Sequence, residues 1–226
     1  FRRMEKMDNI LREAGFNGVF NAEGETWKLH RKLIAKGLDV KHQQAFFEKT
    51  LMSIERFKIK LDKAAKSNKP YPIQKDLVRY TVDVTTNLAF GYDMNTLEQD
   101  GHVIQDHLEL MFPMVFKRIN APIAWRKIWK SSGDKAYDVA LYETVKWIEV
   151  FIDEAKKKFT DKPELKQNPT NMLEALLIES EQNEKLSDED VIGNLLTIFL
   201  AGEDTTAHSI AWWLHEISDQ PEIILR

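Results

Sequence analysis

The chain has 226 residues, 43% apolar, 10% aromatic and 30% charged, with 32 Lys and Arg against 36 Asp and Glu for a formal net charge of −4. This composition excludes a disordered chain, a collagen-like chain and a multi-span membrane protein, and the near-balanced charge gives no general attraction to nucleic acid. Cysteine is absent, so these residues hold no disulfide, no Cys-zinc site and no Cys nucleophile.

Only 9 Gly and 7 Pro fall between long stretches of 3.6-residue apolar period, which predicts an almost all-helical chain. The pattern predicts helices over 1–14, closed by Gly15, and over 24–36, with Gly37 as a C-terminal stop. A third spans 41–67, before the break at Ser67-Asn68-Lys69-Pro70-Tyr71-Pro72. Next come helices over 74–90, stopped by Gly91, and over 97–116, interrupted near Pro113. A long helix over 134–159 carries Lys156, Lys157 and Lys158 in its last turn, where cations suit the dipole. Residues 161–169 read as a loop and 171–180 as a short amphipathic helix. The last long helix opens at Ser187 with Asp190 three residues on, a capping-box spacing, and runs to about Ser218. Residues 220–226 read as the start of another helix, and Phe1-Arg2-Arg3-Met4 does not open a signal peptide. The expectation is one partial domain over 1–226, an internal piece of a longer protein, with compartment and membrane anchoring left open.

The last long helix is the informative one. From Val191 to Trp213 its only formally charged residues are Glu203 and Asp204. A helix apolar on nearly every side is buried, and the clean run over 191–202 is too short to span a bilayer. Its polar groups cluster as Ala201-Gly202-Glu203-Asp204-Thr205-Thr206. Residues three and four apart share a face, so Thr197, Ala201, Thr205 and His208 form one stripe with Asp204 beside it. A mid-helix Thr bonds the carbonyl four residues back, here Thr205 to Ala201, and Gly202 weakens the same turn. The picture is a locally opened helix beside a cavity, carrying an acid and an alcohol suited to proton delivery. A kinked core helix with satisfied polar groups is the other reading.

Ala201-Gly202-Glu203-Asp204-Thr205-Thr206 resembles the [Ala/Gly]-Gly-x-[Asp/Glu]-Thr-[Thr/Ser] motif of the cytochrome P-450 haem-thiolate monooxygenases. Trp27-Lys28-Leu29-His30-Arg31 resembles the family's Trp-x-x-x-Arg helix, and Gly18–Glu25 its lead-in. One turn apart, the Trp27 indole and Arg31 guanidinium make a donor pair for a carboxylate; a basic surface helix with Lys28, His30, Lys32 and Lys36 is the alternative. Residues 76–92 are similar to the family helix ending in Phe-Gly, and 97–159 to its two long helices and variable connection. That connection, 111–132, has no acidic residue but carries Lys117, Arg118, Arg126, Lys127 and Lys130 among Phe112, Phe116, Trp125 and Trp129. It reads as an ordinary aromatic-rich lid; in the family it roofs the substrate pocket.

The resemblance implies an all-α fold, the haem-distal part of the P-450 fold around a long central buried helix. It implies haem (iron protoporphyrin IX) as cofactor, with Trp27 and Arg31 at its propionates and Ala201 and Gly202 at the oxygen notch. Thr205 and Asp204 become the catalytic pair, the alcohol hydrogen-bonding dioxygen and the acid relaying protons through water. Thr197, Leu200 and Ala201 become the substrate wall. The implied reaction inserts one oxygen atom of dioxygen into an apolar small molecule, with electrons from a reductase or ferredoxin and no nucleic-acid partner. The chain departs from the family in lacking both Glu-x-x-Arg and the haem-ligand Cys, so it holds no metal ligand of the family kind and is not expected to be active alone. Two further classes stay in view. One is a non-catalytic helical interaction protein. The other is a non-haem metal enzyme on Asp204, His208 and His215, weakened because the two His lie about 10.5 Å apart along the axis. Dinucleotide and phosphate-loop motifs and the Gly-x-Ser-x-Gly elbow are missing.

Overall fold

The computed structural model describes residues 4–38, 40–67, 69–99, 103–183 and 186–224, with side chains at all of these except 40–42, 45, 46, 221 and 224. They form α1 (Glu5–Glu13), α2 (Gly24–Gly37), α3 (Val40–Ser67), α4 (Ile73–Phe90), α5 (Val103–Asn120), α6 (Ser132–Asp161), α7 (Met172–Glu181), α8 (Asp188–Ser218) and α9 (Pro221–Ile224). No strand occurs among the described residues, and none of their helices is long and apolar enough to cross a membrane.

The start of α8 is set by a closed capping box. Asp190 N–H donates to Ser187 Oγ at 3.2 Å, and the Asp190 carboxylate accepts from Ser187 N at 2.8 Å. Val191, Leu195, Leu196 and Phe199 are then fully buried, each contributing about 1.5–3 kcal/mol of burial. α4 packs along α8 more extensively than any other pair of elements packs. Phe199 meets Phe90 of α4 edge-to-face at 5.9 Å and stacks on Trp147 of α6 at 6.0 Å, joining three helices in one aromatic cluster.

Two glycines of α8 permit close approach. A Cβ on Gly193 would lie 2.7 Å from the backbone N and O of Asn17, and one on Gly202 would lie 2.7 Å from Thr85 Oγ1 of α4. Gly202 lets α8 lie close against α4, and the opening expected there is not seen: α8 runs as unbroken α-helix from Asp188 to Ser218.

The N-terminal segment is fastened to α8 through Asn194. Its Oδ1 accepts from Val19 N at 2.9 Å, and its Nδ2 reaches His30 Nδ1 of α2 at 2.8 Å and the Asp190 carbonyl at 2.7 Å. His30 is buried, and burial pushes its pKa down, so it adds no charge to the exposed face of α2.

Several element boundaries differ from the sequence pattern. Gly37 does not stop α2 in a left-handed turn; it is the last helical residue, and a Cβ there would lie 3.1 Å from Met172 of α7. Gly91 does take φ +69° and closes α4 as expected. α5 starts at Val103 rather than at 97, because the buried Asp83 carboxylate captures Thr96 N at 2.8 Å, Thr96 Oγ1 at 2.9 Å and Leu97 N at 3.3 Å, holding them in a turn. Pro113 sits inside α5 without ending it: one N–H is lost, while Met111, Met114, Val115 and Arg118 stay buried on either side. Arg118 then reaches Asp134 of α6 at 3.0 Å and lies 3.9 Å over the Tyr137 ring. The expected loop over 161–169 contains a short 3₁₀ turn at Pro163–Gln167.

Candidate active site

Burial along α8 changes at the Ala201 turn. Residues 193–197 with Phe199 and Leu200 are buried; Ala201, Thr205, Thr206, His208, Ser209, Trp212 and Trp213 are exposed, with Glu203 and Ala207 buried between them. The Ala201–Thr206 cluster thus stands at the rim of the core, where a helix can face an open space on one side and protein on the other.

Two cavities flank this turn. The first, about 170 Å³, is walled by Thr197, Leu200, Ala201 and Thr205 of α8. Leu11 of α1, Phe16 and Phe20 of the following loop, and Phe112 and Val115 of α5 complete it. Its volume is close to the about 150 Å³ of an apolar cavity that admits benzene. The second, about 430 Å³, is a polar cleft between Gln74, Lys75 and Val78 of α4, Leu108, Glu109, Phe112 and Pro113 of α5, and Leu200, Glu203 and Asp204 of α8.

The alcohols on the apolar wall are already engaged. Thr205 Oγ1 donates to Ala201 O at 2.6 Å and Thr197 Oγ1 to Gly193 O at 2.8 Å. Both hydroxyls are thus turned back onto their own helix, and for Thr205 to donate to a guest its O–H must swing away from Ala201 O.

Asp204 lies on the cleft. His208 Nδ1 is 3.6 Å from its carboxylate and 2.7 Å from its backbone carbonyl, while His208 Nε2 is 2.9 Å from Gln74 Nε2. These contacts let the ring meet the Asp204 carbonyl through Nδ1 and the Gln74 amide through Nε2. Among the described residues no group of three or more His, Asp or Glu is arranged to hold a metal ion.

Glu203 is the residue the sequence reading passed over. It is 5% exposed, and burial, with the nearby charges of Asp204 and Glu109, pushes its pKa up to about 8. Its signal was present: an acid in the middle of a 23-residue stretch with only one other charge, 191–213.

Thr197, Leu200, Ala201 and Thr205 are thus brought together on one cavity, while Gly202 is turned to Thr85 and Asp204 to the polar cleft. Trp27 and Arg31 are exposed on α2, away from the buried His30, Leu33 and Ile34. The walls supplied by Leu11, Phe16, Phe20 and Val115 carry no local sequence signal, since ordinary apolar residues there are indistinguishable from core.

The family model described as Cytochrome P450 matches residues 2–226. The chain belongs to the cytochrome P450 family. Among curated proteins it is 26% identical to Cytochrome P450 86B1 of Arabidopsis thaliana, over 94% of this chain and 39% of that protein. It is 25% identical to Cytochrome P450 94A1 of Vicia sativa, over 95% of this chain and 42% of that protein. The chain spans about two-fifths of the length of these P450 relatives. In fold it resembles the crystal structure of a cytochrome P450, CYP102L1, with a TM-score of 0.80 at 16% identity, covering all of this chain and 50% of the other. The cytochrome P450DA heme domain aligns with a TM-score of 0.75 at 17% identity over 99% of this chain and 47% of its own. The all-α architecture expected from the sequence is the architecture of these P450 structures.

Proposed function

We propose that this chain forms the haem-distal half of a cytochrome P450 monooxygenase that inserts one atom of dioxygen into an apolar small molecule. The observation that carries the reading is the placement of Ala201 and Thr205 on the wall of an uncharged cavity, with Asp204, next to Thr205 in the chain, facing a polar cleft.

The residues fit part of a haem site. Trp27 and Arg31 are exposed one turn apart on α2, and an indole N–H beside a guanidinium is a donor set for a propionate carboxylate. Ala201 and Thr205 offer a small, exposed surface at the cavity wall. The axial thiolate must come from outside these 226 residues, which contain no cysteine, and the chain alone is therefore inactive. Bound haem supplies the oxygen and redox chemistry, with electrons from a reductase or ferredoxin.

The chain's own part is positioning and proton traffic. Leu11, Phe16, Phe20, Phe112 and Val115 hold a hydrocarbon group against α8 and exclude water from it. Thr205 swings its O–H from Ala201 O toward the cavity and donates it to a polar guest beside Ala201. Asp204, in contact with the wetter cleft, replaces the proton that is passed on.

The test is the full-length protein with its haem. A reduced carbon-monoxide spectrum of thiolate type, together with loss of product per electron consumed in Thr205→Ala, supports the reading. A full-length protein that takes up no haem sinks it and favours the non-catalytic helical alternative.

A further inference from the structure

The α4–α5–α8 cleft has a floor and a rim of different character. Its floor is Leu108, Leu200 and Glu203, each no more than 5% exposed, and its rim carries Lys75, Glu109 and Asp204. Val78 and Phe112 extend the apolar lining. At about 430 Å³ the cleft falls in the about 300–1,000 Å³ range of small-molecule sites, and like them it sets a few convergent polar groups among apolar walls. Phe112 and Leu200 are the two walls it shares with the apolar cavity.

Glu203 is the anomaly on that floor. Among the described residues its carboxyl has no hydrogen-bond partner, while the polar groups around it are engaged. Glu109 accepts from Gln105 Nε2 at 3.0 Å, and His208 meets Gln74 at 2.9 Å and faces Asp204 at 3.6 Å. Buried polar groups are hydrogen-bonded as a rule, so one left bare at the bottom of an open cleft marks a place for a donor from outside the chain.

The charges fix the kind of donor. Three carboxyl groups from α5 and α8 line the cleft against one cation, Lys75 of α4, which forms no ion pair with them among the described residues. A bare metal ion is a poor guest: it needs six or more converging oxygens, no such group is arranged among the described residues, and half of the lining is apolar. A cation with N–H donors on a flat apolar body suits floor and rim together.

We propose that this cleft is a second ligand site, apart from the apolar cavity, for a small organic cation of the amidinium, guanidinium or ammonium class. Its N–H donors meet the Glu203 carboxylate, Glu109 and Asp204 add attraction from the rim, and its body lies against Val78, Leu108 and Phe112. A planar amidinium matches a carboxylate through two parallel hydrogen bonds. The site stands independently of the monooxygenase reading.

The probe is benzamidine, which is cationic throughout the pH range used. It is titrated by calorimetry into the full-length protein as wild type, Glu203→Gln, Glu109→Gln and Lys75→Met. Benzamide keeps its shape without the charge, and benzoate reverses the charge. The wild type is expected to bind benzamidine with a Kd of about 1 mM or tighter, and both controls at least about tenfold more weakly. Glu203→Gln should weaken binding about tenfold or more, by loss of the charge-assisted pair. Glu109→Gln should weaken it about twofold to threefold and Lys75→Met strengthen it by a similar factor, since both side chains are exposed. Burial and the charges of Asp204 and Glu109 push the Glu203 pKa up to about 8, so the cation displaces a proton at pH 7. Affinity should therefore rise up to about tenfold per unit from pH 6 to about 8 and then level off, with about one proton released per cation at pH 7, and Glu203→Gln should show neither effect. If Glu203→Gln loses helix content, Glu109→Gln and the benzamide comparison still decide. No binding to the folded wild type, benzamide bound as tightly, or full affinity in a folded Glu203→Gln overturns the site and leaves water as the partner of Glu203. A shift of the haem absorption band on adding benzamidine places the cation at the cofactor and overturns it as well.

Discussion

Asp204 and Thr205 are consecutive in α8, yet Asp204 opens on the polar cleft beside Glu203 while Thr205 lines the uncharged cavity beside Ala201. The helix is thus a partition, with acids on its wet side and an alcohol on its dry side. A carboxylate on the dry wall would have to be desolvated at a cost of several kcal/mol. A hydroxyl there costs far less once its proton is bonded to Ala201 O. The motif order acid-then-alcohol separates the two by one helical step.

Thr205→Ala tests the dry side. The side chain is exposed and its one described bond is to its own helix, so stability should change by no more than about 0.5 kcal/mol. Coupling should not be spared. Product per electron consumed is expected to fall by at least about tenfold, with Thr205→Ser keeping most of it. Parallel measurement of reductant consumption and product decides the matter. Unchanged coupling removes Thr205 from the proton path.

Glu203 makes stability depend on pH in a direction opposite to most carboxylates. Its pKa rises from the ordinary 4.5 to about 8 on folding. The folded chain therefore binds this proton more tightly than the unfolded chain. Its contribution is complete below about 4.5 and is lost progressively as pH rises toward 8, at about 1.4 kcal/mol per unit. Glu203→Gln keeps the shape and removes the titration. Against wild type it should gain a few kcal/mol between pH 5 and 9 and then level off, read from urea midpoints at each pH. The buried His30 acts in the other direction, its lowered pKa costing stability as pH falls, but both proteins share it and the difference cancels it. A pH-independent gap would place Glu203 in water.

What the sequence made legible, and what it hid, follow from the range of the forces involved. The Ser187–Asp190 cap and the Gly91 turn are local, and both were readable from spacing alone. The start of α5 was not, because it is decided by Asp83, 13 residues upstream of Thr96, whose carboxylate competes with the helix for two backbone N–H groups. Gly37 and Gly202 look alike in sequence to helix stops or weak points, while in the fold each lies where a Cβ would crowd a neighbour: Met172 in one case, Thr85 in the other. In the site, the stripe Thr197–Ala201–Thr205 follows from helical periodicity. The division of Asp204 from Thr205 between two cavities depends on where α4 and α5 stand, and no periodicity encodes that.

Arg31→Ala tests the cofactor edge. Arg31 is exposed, so its loss should leave helix content unchanged by circular dichroism. A charge-assisted hydrogen bond to a propionate contributes about 1.5–3 kcal/mol, so haem should leave the full-length variant about tenfold faster or more. The readout is transfer of haem to an excess of a competing apo-globin. Trp27→Phe, which removes one neutral donor, should have a smaller effect in the same assay. Wild-type haem retention in Arg31→Ala removes it from the propionate role.

Gly202→Ala tests the spacing on which both cavities depend. The new Cβ would lie 2.7 Å from Thr85 Oγ1 and 3.0 Å from its Cγ2. Thr85 is buried and β-branched on α4, so its side chain has little freedom to turn aside. Overpacking of this kind costs about 1–3 kcal/mol, offset by at most about 1 kcal/mol from replacing a mid-helix Gly. Gly202→Ala combined with Thr85→Ala removes both clashing atoms, so the double variant should recover the loss, with a coupling of about 1–3 kcal/mol in the cycle. Gly193→Ala supplies the contrast. Its Cβ would meet the backbone of Asn17 at 2.7 Å, and no side-chain truncation relieves that. Urea midpoints for the four proteins of the cycle and for Gly193→Ala measure all of this. Full rescue by Thr85→Ala would establish that Gly202 is there to seat α8 against α4, fixing how deep in the cleft Glu203 and Asp204 stand. No rescue would return Gly202 to a role on the cofactor side of the helix.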